Sequence, residues 1–170
     1  MLFQTSLGVD IQEQALCLVC LRASSRAVQL ASHSVYPLEK GMGEEKIDAI
    51  KSLIQEFLGK NRISPASVFL GLPRNKAILK YITLPVAVKE NLRESLGYEM
   101  EKHLPFSAGD IHFDFQLISE DKGTGQLHLL LVAIKKEVLT PFLDLSRQLG
   151  LGLSGIEISS TALADYFSWE

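Results

Sequence analysis

The sequence has only 2 cysteines and 1 tryptophan in 170 residues, and it has no apolar run long enough to cross a bilayer. A membrane-spanning helix needs roughly 20 consecutive apolar residues. The stretch from Met1 to Val9 also lacks the basic start and cleavage site of a secretory signal. Work at a membrane is therefore expected to need another chain as the anchor. Charge of one sign is missing too: 17 Lys and Arg are mixed with 20 Asp and Glu, for a net charge of -3. Without a basic stripe, nucleic acid is disfavoured as a partner. There is no low-complexity segment and no internal repeat.

The chemistry-bearing motifs are equally sparse. Gly123-Thr124-Gly125 has no Walker lysine and serine after it, so it reads as a turn, and no G-x-S-x-G elbow occurs. His33, His103, His112 and His128 show no ligand spacing; His112 and His128 could at best face each other across a hairpin, and a structural or surface role is expected for all four. Glu99 and Glu101 lie two apart on an expected helix and so diverge, which gives no carboxylate pair for acid-base chemistry. Cys17 and Cys20 form a C-x-x-C inside the apolar run Ala15 to Leu21. In a strand, positions three apart point to opposite faces, so the two thiols cannot share an ion. They read as buried, metal-free cysteines in a reducing compartment.

What is present is core-forming material, with 46% hydrophobic residues. Three strand-like runs, Leu2 to Ile11, Ala15 to Ala23 and Ala27 to Leu38, follow one another through short polar turns and should pair antiparallel. After Gly41-Met42-Gly43, apolar residues at 47, 50, 53, 54, 57 and 58 predict an amphipathic helix ending near Gly59. Ser67 to Leu72 is a short strand, and a helix followed by such a strand signals parallel pairing.

Ala77 to Leu84 predicts another strand, broken by Pro85 before a helix from about Lys89 to Leu104 with Leu92, Leu96, Met100 and Leu104 on one stripe. From Ile111 the period becomes two, with Phe113, Phe115 and Leu117 on one face. A hairpin loop over Glu120 to Gln126 leads into the strand Leu127 to Ile134. A helix from Glu137 to Leu149 stops at Gly150, and a strand Gly155 to Ile158 with a helical turn Thr161 to Phe167 follows.

Four stretches carry a family likeness: Leu7-Gly8-Val9-Asp10-Ile11; Ala31 to Leu38; Glu94 to Phe106, with Glu99, Glu101, Leu104, Pro105 and Phe106, then Asp114-Phe115-Gln116; and Leu131-Val132-Ala133 through Lys136-Glu137-Val138 and Leu149-Gly150-Leu151 to Ile156-Glu157. They resemble the actin-like assembly proteins of type IV pili, the PilM family, and the related GspL cytoplasmic domains of type II secretion. The resemblance implies an α/β chain with an RNase H-like, actin-like first subdomain (1–76 with 152–170) and an inserted smaller α+β subdomain (77–151).

In such proteins the cleft between two actin-like halves binds ATP and magnesium, and the turn after the first strand supplies backbone N–H groups to phosphate. Here Asp10-Ile11-Gln12-Glu13-Gln14 stands where an intact family turn has D-I-G followed by small hydroxyl residues. The glycine is replaced by Gln12, which resists close phosphate approach, and Glu13 adds a repelling charge. The chain also ends before the second half that would complete a nucleotide cleft. Asp10 and Gln12 are accordingly expected to be vestigial, with no cofactor, no metal and no catalysis.

The resemblance further implies a groove between the subdomains that receives a short peptide from the cytoplasmic tail of an inner-membrane partner, with Arg74, Leu84, Pro85, Arg93 and Tyr98 as candidate contacts. The plain alternative is that these residues join and pack the subdomains. The expected role is a non-catalytic scaffold of a pilus or secretion platform, cytoplasmic and held at the inner membrane through partners, among them an assembly motor ATPase. A homodimer through an exposed sheet edge is a further expectation. The competing expectation is half of an actin-like ATPase that binds ATP and magnesium only once completed by a second domain.

Overall fold

The computed structural model describes residues 4–40, 43–103 and 106–169. Leu104 and Pro105 of the family-like stretch, and the Gly41-Met42 part of the first loop, lie outside the described residues, as do the side chains of Glu99, Glu101 and His103. The described chain forms two compact units, Met1–Arg74 with Pro141–Glu170, and Asn75–Thr140.

The first unit is built on a five-stranded sheet with the order β3-β2-β1-β4-β8. The apolar runs give β1 (Gln4–Ile11), β2 (Ala15–Ala23) and β3 (Val28–Pro37). These three pair antiparallel, because their turns are too short for a crossover. α1 (Glu44–Asn61) then returns the chain so that β4 (Ser67–Leu72) lies parallel to β1. β8 (Leu153–Ile158) adds in parallel on the far side of β4, and α4 (Ser159–Trp169) follows it.

Strand alternation puts Leu7, Val9, Ile11, Leu16, Leu18, Val68, Leu70 and Leu72 on one buried face. Ile50, Ile54 and Phe57 of α1 are buried as well, as their three-four spacing requires. α1 ends two residues past Gly59, at Asn61. Arg62 takes the left-handed cap at φ 52, its N–H bonding back to the Gly59 carbonyl.

The second unit holds a three-stranded antiparallel sheet, β5-β7-β6, formed by β5 (Ile78–Pro85), β6 (Ile111–Asp121) and β7 (Gln126–Lys135). Pro85 ends β5, and the expected helix begins instead as a short 3₁₀ stretch, Val86–Asn91, before α2 (Leu92–His103). Leu96 and Met100 from α2 close on Ile82, Leu84, Ile111, Leu129, Leu131 and Ala133, with Phe106, Phe113 and Phe115 at the margin of this cluster.

The β6–β7 strands run further than expected and leave a four-residue turn, Lys122 to Gly125. Asp121 caps it, its Oδ1 accepting from the Gly123 and Thr124 amides at 2.8 and 3.2 Å and its Oδ2 from the Thr124 hydroxyl at 2.7 Å. Gly125, at φ 65, supplies the left-handed residue that closes the hairpin.

α3 (Lys136–Gln148) falls across the division of the chain: Lys136–Thr140 belong to the second unit and Pro141–Gln148 to the first. The segment 141–151, expected within the insertion, therefore belongs with the first sheet. The physical reason is visible in a small recess of about 20 Å³, where Phe142, Leu145 and Leu149 meet Val9, Ile54, Val68 and Leu70. Gly150, at φ 66, ends α3 as the sequence predicts.

Candidate functional site

Asp10 sits near the end of β1, on the sheet face opposite the core, between Cys17 of β2 and Gly71 of β4. Both oxygens of its carboxylate accept hydrogen bonds from within the chain. Gln12 Nε2 donates to both oxygens at 2.8 Å, and the Ser159 hydroxyl donates to Oδ1 at 2.7 Å. Ser159 in turn lies 3.0 Å from the Gln12 amide, which donates to it, and 3.0 Å from the Leu72 carbonyl. One cluster thus ties together the ends of β1 and β4 and the start of α4.

Gly71 makes the arrangement possible, because a Cβ there would lie 2.6 Å from Asp10 Oδ1 and 3.2 Å from Cβ and Cγ of Asp10. The backbone N–H of Gln12 is also committed, donating to the Ala15 carbonyl at 2.8 Å within the β1–β2 turn. Of this cluster, the sequence points to Asp10 and Gln12. Ser159 is missed because it is 149 residues from Asp10, and its only local signal is a hydroxyl at the junction of β8 and α4.

Cys20 is buried on the core face, and Cys17 is half-buried on the other, so the C-x-x-C pair does not converge. Burial pushes both thiols above their ordinary value, and the Asp10 carboxylate raises Cys17 further. Among the described residues no group of three or more His, Cys, Asp or Glu is placed to hold a metal ion. His112 and His128 do not face each other: His112 lies opposite Ile134 and His128 opposite Ser119. The recess beside α3 has room for about one water and is walled almost entirely by apolar side chains, which rules out an organic ligand there.

The five candidate partner contacts separate by environment. Leu84 is buried in the second unit's core, and Pro85 beside it is exposed. Arg93 is committed within its own unit: its guanidinium donates to Asp114 Oδ1 and to the Phe113 carbonyl, both at 3.1 Å, and lies 5.0 Å from the centre of the Phe113 ring. Tyr98 is 76% exposed on α2. Arg74 opens the short 3₁₀ turn Arg74–Lys76 at the end of the first unit and is exposed.

The sequence pattern of the type IV pilus assembly protein PilM family runs along residues 8–168. The chain belongs to this family. No curated protein matches it in sequence. In structure this PilM-family chain is similar to the PilM-PilN type IV pilus biogenesis complex, with a TM-score of 0.77 and 23% identity over 91% of this chain and 47% of that one. It is similar also to the cytoplasmic domain of EpsL, an inner membrane component of the type II secretion system of Vibrio cholerae, with a TM-score of 0.60 and 17% identity over 91% of this chain and 57% of that one.

A Bacteroides thetaiotaomicron protein with an actin-like ATPase fold matches at a TM-score of 0.50 and 11% identity, covering 97% of this chain and 56% of that one. The chain spans about half the length of these structures. Its fold is the actin-like α/β fold that the sequence predicts. Among the described residues no helix is long and apolar enough to cross a membrane.

Proposed function

We propose that this PilM-family chain is a non-catalytic scaffold of an inner-membrane type IV pilus or type II secretion assembly platform, and that it recognises the cytoplasmic segment of a membrane partner. The observation that carries the non-catalytic part is the occupation of Asp10 from within. A carboxylate that serves a magnesium-nucleotide complex needs open oxygens, and a phosphate-binding turn needs backbone N–H groups aimed outward. Here the Gln12 amide covers both Asp10 oxygens, and the Gln12 N–H closes a turn.

Family membership supports the assembly role. One structure similar to this chain is a complex of PilM with PilN in type IV pilus biogenesis, which supports a second pilus-biogenesis protein as the class of partner. The chain would then be cytoplasmic and peripheral to the inner membrane through that partner, with an assembly motor ATPase as a further contact. Pro85 and Tyr98, both exposed in the second unit, are the first residues to substitute. The test is a titration with a synthetic peptide of the partner's cytoplasmic tail. Saturable binding is expected, and binding no stronger than to a scrambled peptide overturns the reading.

The second reading, an actin-like ATPase half, draws on the position of Asp10 at the end of the first strand. It predicts a raised melting temperature with millimolar ATP and magnesium, whereas the scaffold reading predicts no shift.

A further inference from the structure

Sheet edges avoid unwanted pairing by carrying charge or proline, or by being short. Three of the four edges in the two sheets carry charged side chains. β8 has 6 residues and includes Glu157, β5 carries Lys80 and ends in Pro85, and β6 carries Asp114, Glu120 and Asp121. β3 is the least guarded, with a terminal Pro37 and a single bulge as its only such devices. It ends the five-stranded sheet with 10 residues, VQLASHSVYP, and no Lys, Arg, Asp or Glu among them.

Its exposed aliphatic side chains are also aligned. Leu30 lies opposite Leu21 and Ser32 opposite Cys20, so Ala31 is an extra residue and forms a bulge. Residues 30 and 35 would otherwise point to opposite faces. The bulge brings Leu30, 59% exposed, onto the face that carries Val35, 66% exposed, together with Val19 and Leu21 of β2.

The edge is complementary to itself. Antiparallel pairing of two β3 strands about His33, with Ala31 bulged in each, sets Leu30 opposite Val35, Ser32 opposite Ser34, Gln29 opposite Tyr36 and Val28 opposite Pro37. Apolar residues meet apolar ones and small hydroxyls meet small hydroxyls, and every pair recurs by symmetry, as an isologous contact demands. We infer that β3 is a self-association edge whose occupant is a second copy of this chain, joining two five-stranded sheets into one of ten strands.

Sedimentation velocity over a concentration series tests this. The unaltered chain is expected to reach the mass of a dimer. Leu30→Lys or Val35→Glu alone is expected to leave a monomer, because each sets a charge against an aliphatic side chain. The combined variant is expected to recover the dimer, since the new ammonium of one copy then faces the new carboxylate of the other. Both sites are exposed, so far-ultraviolet circular dichroism should be unchanged in all three variants. A chain that stays monomeric at every concentration, a dimer indifferent to either single change, or a combined variant that remains monomeric would each overturn the inference.

Discussion

Asp10 receives donors from one neighbour in sequence and one remote from it, and the two differ in how they are found. Gln12 is legible because it stands two residues along the same turn. Ser159 arrives only when β8 is laid beside β4. Hydrogen bonds to a charged group contribute about 1.5–3 kcal/mol each when part-buried. Gln12→Ala is therefore expected to lower unfolding free energy by about 1.5 kcal/mol in urea titrations. Ser159→Ala in the same background should be non-additive by roughly 0.5 kcal/mol or more, since the two side chains share one carboxylate.

At this scale too, the raised thiols of Cys17 and Cys20 carry a pH prediction with a fixed sign. Unfolded cysteine ionises near about 8.5, whereas the folded thiols ionise higher. Their contribution is complete below the unfolded value and is lost as pH rises through the folded ones. Urea midpoints should fall between pH 8 and pH 10 by more in the unaltered chain than in a Cys17→Ala variant. Equal falls would remove Cys17 from the explanation.

Among the elements, strands were the easiest to read, because alternation and short turns leave few pairings for β1, β2 and β3. Their register was less accessible: nothing local in Val28 to Pro37 announces the bulge at Ala31, which emerges only against Cys20 and Leu21. α1 overran Gly59 because Arg62 accepts the left-handed cap that glycine usually fills. The β6–β7 hairpin turn shows the opposite case, where a local signal was sufficient. Its Asp121 carboxyl is held below the usual carboxylate range by the Thr124 hydroxyl first, then by the Gly123 and Thr124 amides.

A depressed carboxyl gives stability that is present above the unfolded value, near about 3.9, and is lost as pH falls through the lower folded one. Thermal melts between pH 5 and pH 2.5 should therefore decline more steeply for the unaltered chain than for Asp121→Asn. Parallel declines would show that the turn does not depend on this charge.

For the whole molecule, the sequence order pointed to a sheet-based first unit interrupted by a smaller one, yet it misassigned residues 141–151. The apolar stripe of α3 says that Phe142 and Leu145 are inward, and periodicity alone cannot say into which of two cores they go. The five-stranded sheet takes them, against Val9, Ile54 and Val68. Family membership rests on the match along residues 8–168. The proposed scaffold role rests on that membership together with an Asp10 already satisfied from within. Its most direct test follows backbone amide shifts while a synthetic peptide from the membrane partner's cytoplasmic tail is added, and then magnesium and ATP. The account predicts saturable shifts with the peptide, including the amides of Leu84 and Tyr98, and a still spectrum with nucleotide. Silence with the peptide, alongside nucleotide-induced shifts at Asp10 and Gln12, would contradict it.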